Sequence, residues 1–445
     1  MIQNIVNHLD SIGQKQLSVD VDRLTLAERE YFLNQLERYP LSLMNEQRKV
    51  LAQKENLSAP LDPLERYQIA GLAMDKQMGE HCIAEGKVGC IILAGGQGTR
   101  IGAATGSKGM VPISLIKNKS LFQLFFEKTL AASKKYGRAL PLAVMTSPVN
   151  FASTLEYLEC SNWFGVTPNQ VDLFVQEMLP FMDDTGNWIL QSPGKIAEGP
   201  DGNGNFFKAF CRAGICKKWK ESGVQYIHVI VVDNPLADPF DAELYGYHSR
   251  TGAEATIKAI MKIDPLEQVG TIVSKRGRPR VVEYSEFPKE ELVARNDDGS
   301  LRFPLANISL LCFDIDFIDR MGQKKDFSLP WHLARKLTDG KMIWKFETFL
   351  FDLLEYTEKS EVLVYPRETC FAPLKNRSGE ASFETVKSAL LASDKAAYLK
   401  VTGIPAPDKS FELDQSFYYP TNQFLEKWKG KALPDGEYID ADCIS

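Results

Sequence analysis

The sequence predicts an α/β fold, with a mixed, mostly parallel β-sheet and helices on both faces. Three observations predict it. Apolar runs of strand length recur at 88–93, 139–146, 171–176, 226–232, 254–260, 308–313 and 362–366. Helical stretches such as 121–136, 205–222 and 344–357 lie between them, and strands separated by helices read as βαβ units around a parallel sheet. Two dense glycine clusters, at 95–102 and 199–204, adjoin a predicted strand and a predicted helix.

The elements follow in order. Residues 1–84 read as a helical N-terminal domain. Thr25 and Glu28 have capping-box spacing, and Phe32, Leu33, Leu36 and Tyr39 follow at helical intervals. Pro60 and Pro63 interrupt the pattern, and a second helix is expected over 64–84. β-formers then set in, which places a boundary near 85. The α/β domain is expected over 85–378. Its Val-rich segment 280–284 has the character of a hairpin partner, which makes the sheet mixed. From about 380 a helix over 382–393 leads into an aromatic, Pro-containing tail. Residues 379–445 therefore read as a small C-terminal domain.

Composition excludes several classes. Among 445 residues, 44% are apolar and 25% charged, which rules out disordered, collagen-like and coiled-coil chains. A net charge of −6 lacks the global basic field of a nucleic-acid binder. The eight cysteines stand at 82, 90, 160, 211, 216, 312, 370 and 443 with no C-x-x-C among them. Neither a zinc site nor a thioredoxin motif is suggested by that pattern, and a reduced, intracellular chain is expected. The first residues, MIQNIVNHLDSIGQ, lack the basic and apolar regions of a signal peptide. No apolar run approaches the ~20 residues of a bilayer span. A soluble, cytoplasmic protein without nucleic-acid or membrane partners is the expectation.

The sharpest local signal is Ile91-Ile-Leu-Ala-Gly-Gly-Gln-Gly-Thr-Arg-Ile-Gly102, ending at Ser107-Lys108-Gly109. It leaves the first strand of the predicted sheet. Its glycines let the backbone adopt positive φ and turn N–H groups toward an anion, and Arg100 and Lys108 add charge. A Walker A loop fails because Ala103 follows Gly102. A dinucleotide loop begins with Gly96 and Gly98 but meets Ile101 where its third glycine belongs. A tight turn without a ligand is the competing reading, and the two cations on the loop favour an anion.

Eight further segments stand out. Phe174-Val-Gln-Glu177 ends a strand, and Gln176 offers a donor and an acceptor that match the amide edge of a uracil. Glu198-Gly-Pro-Asp-Gly-Asn-Gly-Asn205 is a turn signal ahead of a helix. Asp233-Asn234 follows the strand at 226–232. A carboxylate at the carboxyl end of a sheet strand sits where α/β folds bind ligands, and Mg²⁺ takes one or two such carboxylates plus phosphates. Val269-Gly270, Val281-Val-Glu-Tyr-Ser-Glu286 and Leu305-Ala-Asn-Ile-Ser309 place Gly270, Glu283 and Asn307 near strand ends. Phe371-Ala-Pro-Leu-Lys-Asn376 places Lys375 in a loop. Phe346-Glu-Thr-Phe-Leu-Phe-Asp352 has helical apolar spacing and reads as core. Taken singly, each is also explained by a loop cap, a satisfied polar group or a solvated lysine.

Taken together, these segments resemble, in order from about residue 24 to 376, the eukaryotic-type UDP-N-acetylglucosamine pyrophosphorylases and related UDP-sugar pyrophosphorylases. Two departures are visible: Ser107 stands where that family usually has Pro, and Asn307 lies in L-A-N-I-S rather than G-N-I. The resemblance implies a Rossmann-like, GT-A-like nucleotidyltransferase fold. It implies nucleotide contacts from Ala94, Gly95, Gly96, Gly98, Thr99, Gln176 and Gly202. It implies sugar contacts from Asn203, Gly270, Glu283 and Asn307, and Mg²⁺ on Asp233. Arg100, Lys108 and Lys375 would handle phosphates. The implied reaction joins UTP and N-acetylglucosamine 1-phosphate into a UDP-sugar and pyrophosphate, by in-line attack on the α-phosphate. Within the class, UDP-glucose pyrophosphorylase or a broad UDP-sugar enzyme is the alternative. A non-catalytic UDP-sugar sensor is a third reading, against which Arg100, Lys108 and Asp233 argue.

Overall fold

Parallel strands need crossovers, and the chain supplies them as helices between successive apolar runs. The computed structural model describes residues 2–442 except 12, 15, 16, 18–20, 54–60, 97, 99, 100, 103–105, 339 and 340. Among these, eleven strands form one mixed sheet. They are β1 (Asp62–Pro63), β2 (Gln68–Ile69), β3 (Val88–Leu93), β4 (Leu142–Thr146), β5 (Val171–Val175), β6 (Tyr226–Val231), β7 (Ala255–Met261), β8 (Gly270–Lys275), β9 (Arg278–Val282), β10 (Leu305–Asp314) and β11 (Ser360–Tyr365). The order is β2-β11-β7-β10-β6-β3-β4-β5, with β8 on β10, and β9 and β1 on β8.

The register explains the mixture. Strands β6, β3, β4 and β5 run parallel, and β3 and β4 are buried along their whole length. Strand β10 is antiparallel to both β6 and β7, and β7 is parallel to β11. From β3 the chain proceeds outward to β4 and β5, then returns to β6 on the other side of β3. The order therefore switches between β3 and β6, and the carboxyl ends flanking such a switch open a crevice. This is the Rossmann-like, mostly parallel architecture the motifs imply. The hairpin expected at 280–284 is present, with β9 antiparallel to β8.

The chain divides into two compact units. The second, residues 60–175, 206–327 and 353–445, carries the sheet. Its core includes Ile92, Val144 and Ile230 from the strands and Phe122, Phe125 and Phe126 from the helix Leu121–Tyr136. Residues 379–445 lie in this unit, where the helix Phe383–Thr402 packs Tyr398 with Phe411, Phe417 and Trp428. The first unit combines residues 1–59, 176–205 and 328–352. There Thr25 caps the helix Leu26–Arg38 in a capping box with Glu28, as the spacing requires. Phe32, Leu36 and Tyr39 pack with Met182, Trp188 and Phe346. Buried Gln35 pairs its side-chain amide with the Ile196 backbone, accepting at 2.8 Å and donating at 3.2 Å.

Three expected helices differ. The stretch 344–357 is the end of a strand, Lys341–Glu347, followed by a 3-10 turn, Leu350–Tyr356. Its apolar spacing fits both a helix and a hairpin strand, and pairing with His332–Thr338 decides for the strand. The helix expected over 64–84 is confined to Ala73–Ala84. The stretch 205–222 is two helices, Phe206–Arg212 and Ile215–Glu221, broken at Gly214 with φ +76°.

The helix Ala73–Ala84 crosses the helix Ala242–Thr251 at two glycines. A Cβ on Gly79 would stand 1.6 Å from the Ala242 carbonyl oxygen, and one on Gly246 1.7 Å from that of Asp75. Backbone cannot move aside as a side chain can. Gly79→Ala and Gly246→Ala are each expected to destabilise the second unit by about 3 kcal/mol through overpacking. Urea midpoints of the two variants check this, and shifts within error of zero would contradict the packing.

Candidate active site

The second unit gathers its implied residues at one edge of the sheet. The glycine-rich loop leaves the carboxyl end of β3, Asp233 leaves that of β6, and the segment 366–376 leaves that of β11. Strand β10 runs the other way, so its start, with Asn307, comes to the same edge.

Within the loop, Gly98 and Gly102 take φ of +67° and +65°, which side-chain-bearing residues rarely adopt. The Lys108 N–H donates to the Gly96 carbonyl at 3.2 Å, folding the loop back on itself. Apart from its chain neighbours, no atom of the described residues lies within 4 Å of where a Cβ on Gly96 would stand. Asn150 anchors the loop by donating to the Ala94 carbonyl at 3.0 Å. Arg377 donates to the Ile101 carbonyl at 3.1 Å and fills the place a Cβ on Gly102 would need. Gln97, Thr99 and Arg100 lie outside the described residues.

Lys108 reaches Asp233, with Nζ 3.0 Å from Oδ2. Burial pushes the Asp233 carboxyl up, but the Lys108 and Lys375 ammonium groups outweigh it and hold it below its ordinary value. The carboxylate is therefore ionised at neutral pH. Its backbone is fixed as well. The Leu374 N–H donates to the Asp233 carbonyl at 2.7 Å, tying the Lys375 segment to the end of β6. Asn234 donates to the Cys370 carbonyl at 2.7 Å and accepts from the Ala372 N–H at 3.0 Å. Below it, buried Lys128 donates to the carbonyls of Pro235 at 2.6 Å and Ala237 at 2.9 Å. Lys108, Asp233 and Lys375 thus come together from three segments.

Gly270, Glu283 and Asn307 form a second group. Gly270 pairs with Asn307 across β8 and β10, and a Cβ on Gly270 would come 3.5 Å from Glu283 Oε1. Asn307 lies at a bulge opposite Lys258 and Ala259, where Ser309 takes φ +57° and donates its N–H to Asn307 Oδ1 at 3.1 Å. The bulge turns the start of β10.

Gln176, Gly202 and Asn203 belong to the first unit. Gln176 is buried directly after β5. Gly202 has φ +92° and bridges to Thr348, whose carbonyl oxygen lies 2.2 Å from where a Cβ would stand. The close approach this glycine permits within the unit is thus backbone to backbone. Asn203 Oδ1 accepts the Leu350 N–H at 3.0 Å. Between the two motif glycines' strand and turn, Asp201 is buried with Asn205 donating to its Oδ2 at 3.0 Å. Sequence reasoning missed Asn150, Lys128 and Arg377. No motif marks them, since each acts by holding a carbonyl far away in the chain.

Burial, reinforced by Glu177, pushes the Asp201 carboxyl up to about 7. The unfolded chain loses this proton near pH 4 and the folded chain keeps it, so folding stability falls as pH rises from about 4 to 7 and the loss is complete above that. Asp201→Asn is expected to remove this dependence. Its denaturation midpoint, relative to the unsubstituted chain, should rise across that window. Parallel pH curves for the two proteins would contradict it.

Comparisons with known proteins bear on the chemistry. Residues 30–421 match the family described as UTP--glucose-1-phosphate uridylyltransferase. The chain is 31% identical to the Arabidopsis thaliana UDP-N-acetylglucosamine diphosphorylase 1 over 87% of its length and 82% of that protein's. It is 30% identical to the Saccharomyces cerevisiae UDP-N-acetylglucosamine pyrophosphorylase, covering 87% and 88%. The Trypanosoma brucei uridine diphosphate N-acetylglucosamine pyrophosphorylase, solved with an inhibitor, superposes with a TM-score of 0.80 over 99% of this chain and 98% of that one, at 23% identity, and shares the fold. The family model spans most of the chain, and the chain belongs to the UTP--glucose-1-phosphate uridylyltransferase family.

Proposed function

We propose that this protein transfers the uridylyl group of UTP to N-acetylglucosamine 1-phosphate, giving UDP-N-acetylglucosamine and pyrophosphate. The observation that carries the chemistry is the convergence of Lys108, Asp233 and Lys375 at the switch between β3 and β6. The curated relatives named for N-acetylglucosamine support the choice of sugar.

In this reading the loop at 94–98 and Lys108 receive the triphosphate of UTP. Lys108 leaves Asp233 for the phosphates and stabilises the departing pyrophosphate. Arg100 joins it there. Lys375 holds the phosphate of the incoming sugar, whose oxygen attacks the α-phosphorus in line with the leaving group. Gly270, Glu283 and Asn307 meet the sugar. Such a displacement needs positioning and charge neutralisation, with no nucleophile from the protein.

The donor set at Asp233 fits Mg²⁺. One ionised carboxylate at an edge open to phosphates is the protein share that this ion takes, because it keeps waters and draws its other ligands from substrate. Mg²⁺ held by Asp233 and the phosphates would neutralise charge on the α-phosphate. No general base is required, since the sugar phosphate is already an anion. Consistently, His228 and His248 are buried, held neutral with values pushed down to about 4 and about 3. No helix among the described residues is long and apolar enough to cross a membrane, and the reading places the reaction in the cytoplasm.

The test is pyrophosphate release with UTP and Mg²⁺ across the 1-phosphates of N-acetylglucosamine, N-acetylgalactosamine and glucose. The highest kcat/KM is expected with N-acetylglucosamine 1-phosphate. A preference for glucose 1-phosphate would move the assignment to the sugar in the family's description, and no release with any of the three would sink it. Lys108→Ala and Asp233→Asn are each expected to lower kcat about 10²–10³-fold.

A further inference from the structure

A second cluster of chemistry-bearing side chains lies in the sheet-bearing unit, apart from the residues assigned to catalysis. Cys211 on the helix Phe206–Arg212, Cys216 on the helix Ile215–Glu221 and Asp319 on the helix Ile315–Gly322 each bring one ligand atom into a group whose members all lie within 4.8 Å of one another. Cys216 is buried, and Cys211 and Asp319 are half-buried. The chain is shaped to bring them there. Gly214, at φ +76°, breaks one helix into two and turns the second thiol toward the first. Gly322 leaves room for the other, since a Cβ there would stand 2.4 Å from Cys211 Sγ.

We propose that Cys211, Cys216 and Asp319 form a binding site for a thiophilic divalent cation, zinc by its chemistry. Two sulfurs and one carboxylate oxygen form a donor set of the kind zinc takes, with water in the fourth position. The spacing C-x-x-x-x-C falls within the range seen for zinc ligands, although a search for C-x-x-C alone passes over it. A hydrogen bond from the Cys216 thiol to Cys211, together with burial, pushes Cys216 up, and Cys211 donates to the Ile318 carbonyl at 3.8 Å. Sulfur binds a metal as thiolate, so a thiol gives its proton to solvent as its sulfur–metal bond forms.

One neighbour competes. Lys220 Nζ lies 2.6 Å from Asp319 Oδ2 and 2.7 Å from Asp316 Oδ1, and Gln323 donates to Asp319 Oδ1 at 3.3 Å. An arriving cation displaces the ammonium from Asp319 and leaves it on Asp316. The site would tie three helices together. One of them, Phe206–Arg212, continues directly from the glycine-rich turn ending at Asn205.

The test uses the full-length, reduced chain carrying Cys160→Ser, which removes the thiol that is exposed among the described residues. Cobalt(II) serves as the spectroscopic probe. One equivalent should develop a thiolate-to-cobalt charge-transfer band that zinc abolishes. Cys211→Ser should remove the band while uridylyltransferase activity persists, which shows that the variant folds. Asp319→Asn should weaken binding about 10–100-fold. Lys220→Met should tighten it about fivefold by removing the competing ammonium, an effect that a purely structural role for these residues does not produce. No band at one equivalent, a band that survives Cys211→Ser, or binding unmoved by Lys220→Met would overturn the proposal.

Discussion

The site rests on keeping one partly buried carboxylate charged. Asp233 leaves the end of β6 into a confined edge of the sheet, where burial alone would favour its protonated form. Lys108 at 3.0 Å and Lys375 nearby reverse that preference. The two lysines in turn need a negative partner, because otherwise the loop and the 366–376 segment would bring two ammonium groups together. The Leu374 N–H on the Asp233 carbonyl and the two hydrogen bonds of Asn234 lock these segments in place. A ground state held by an internal ion pair also suits the proposed chemistry. In that proposal anionic substrate takes over the lysine, and the carboxylate is released for a cation.

The sheet topology is what allows this convergence. The chain leaves β3 in one direction and returns to β6 in the other, so the loops at their carboxyl ends diverge and leave space between them. Antiparallel β10 adds its beginning to the same edge, and the bulge at Ile308 and Ser309 turns Asn307 beside Gly270. Residues separated by more than 250 positions in the chain, Lys108 and Lys375, thereby act on one carboxylate. An acidic protein of net charge −6 can thus gather two ammonium groups around one carboxylate, as the proposed phosphate chemistry requires.

Much of this was legible in the sequence, for identifiable reasons. Glycines with positive φ, at 98, 102 and 202, are written as glycines because little else fits. Buried parallel strands are written as apolar runs, as β3 and β4 show. Asp233 could be found because its strand could. The supporting residues were not legible. Lys128, Asn150 and Arg377 hold backbone carbonyls on remote segments, and a lone Lys, Asn or Arg carries no mark of that role. The stretch 344–357 carries an apolar spacing that suits both a helix and a hairpin strand, and only the pairing of Lys341–Glu347 with His332–Thr338 resolves its start as a strand. The first unit drew together residues 1–59, 176–205 and 328–352, a division that no local pattern announces.

The central claim is that charge and position, rather than a protein nucleophile, carry the transfer. The stereochemical course at the α-phosphorus tests it most directly. With UTP made chiral at that atom by sulfur substitution, a single in-line displacement by the sugar phosphate inverts its configuration. Inversion is the predicted result. Retention would mean two successive displacements through a uridylylated side chain, and would contradict a site built only from Lys108, Asp233, Lys375 and their phosphates.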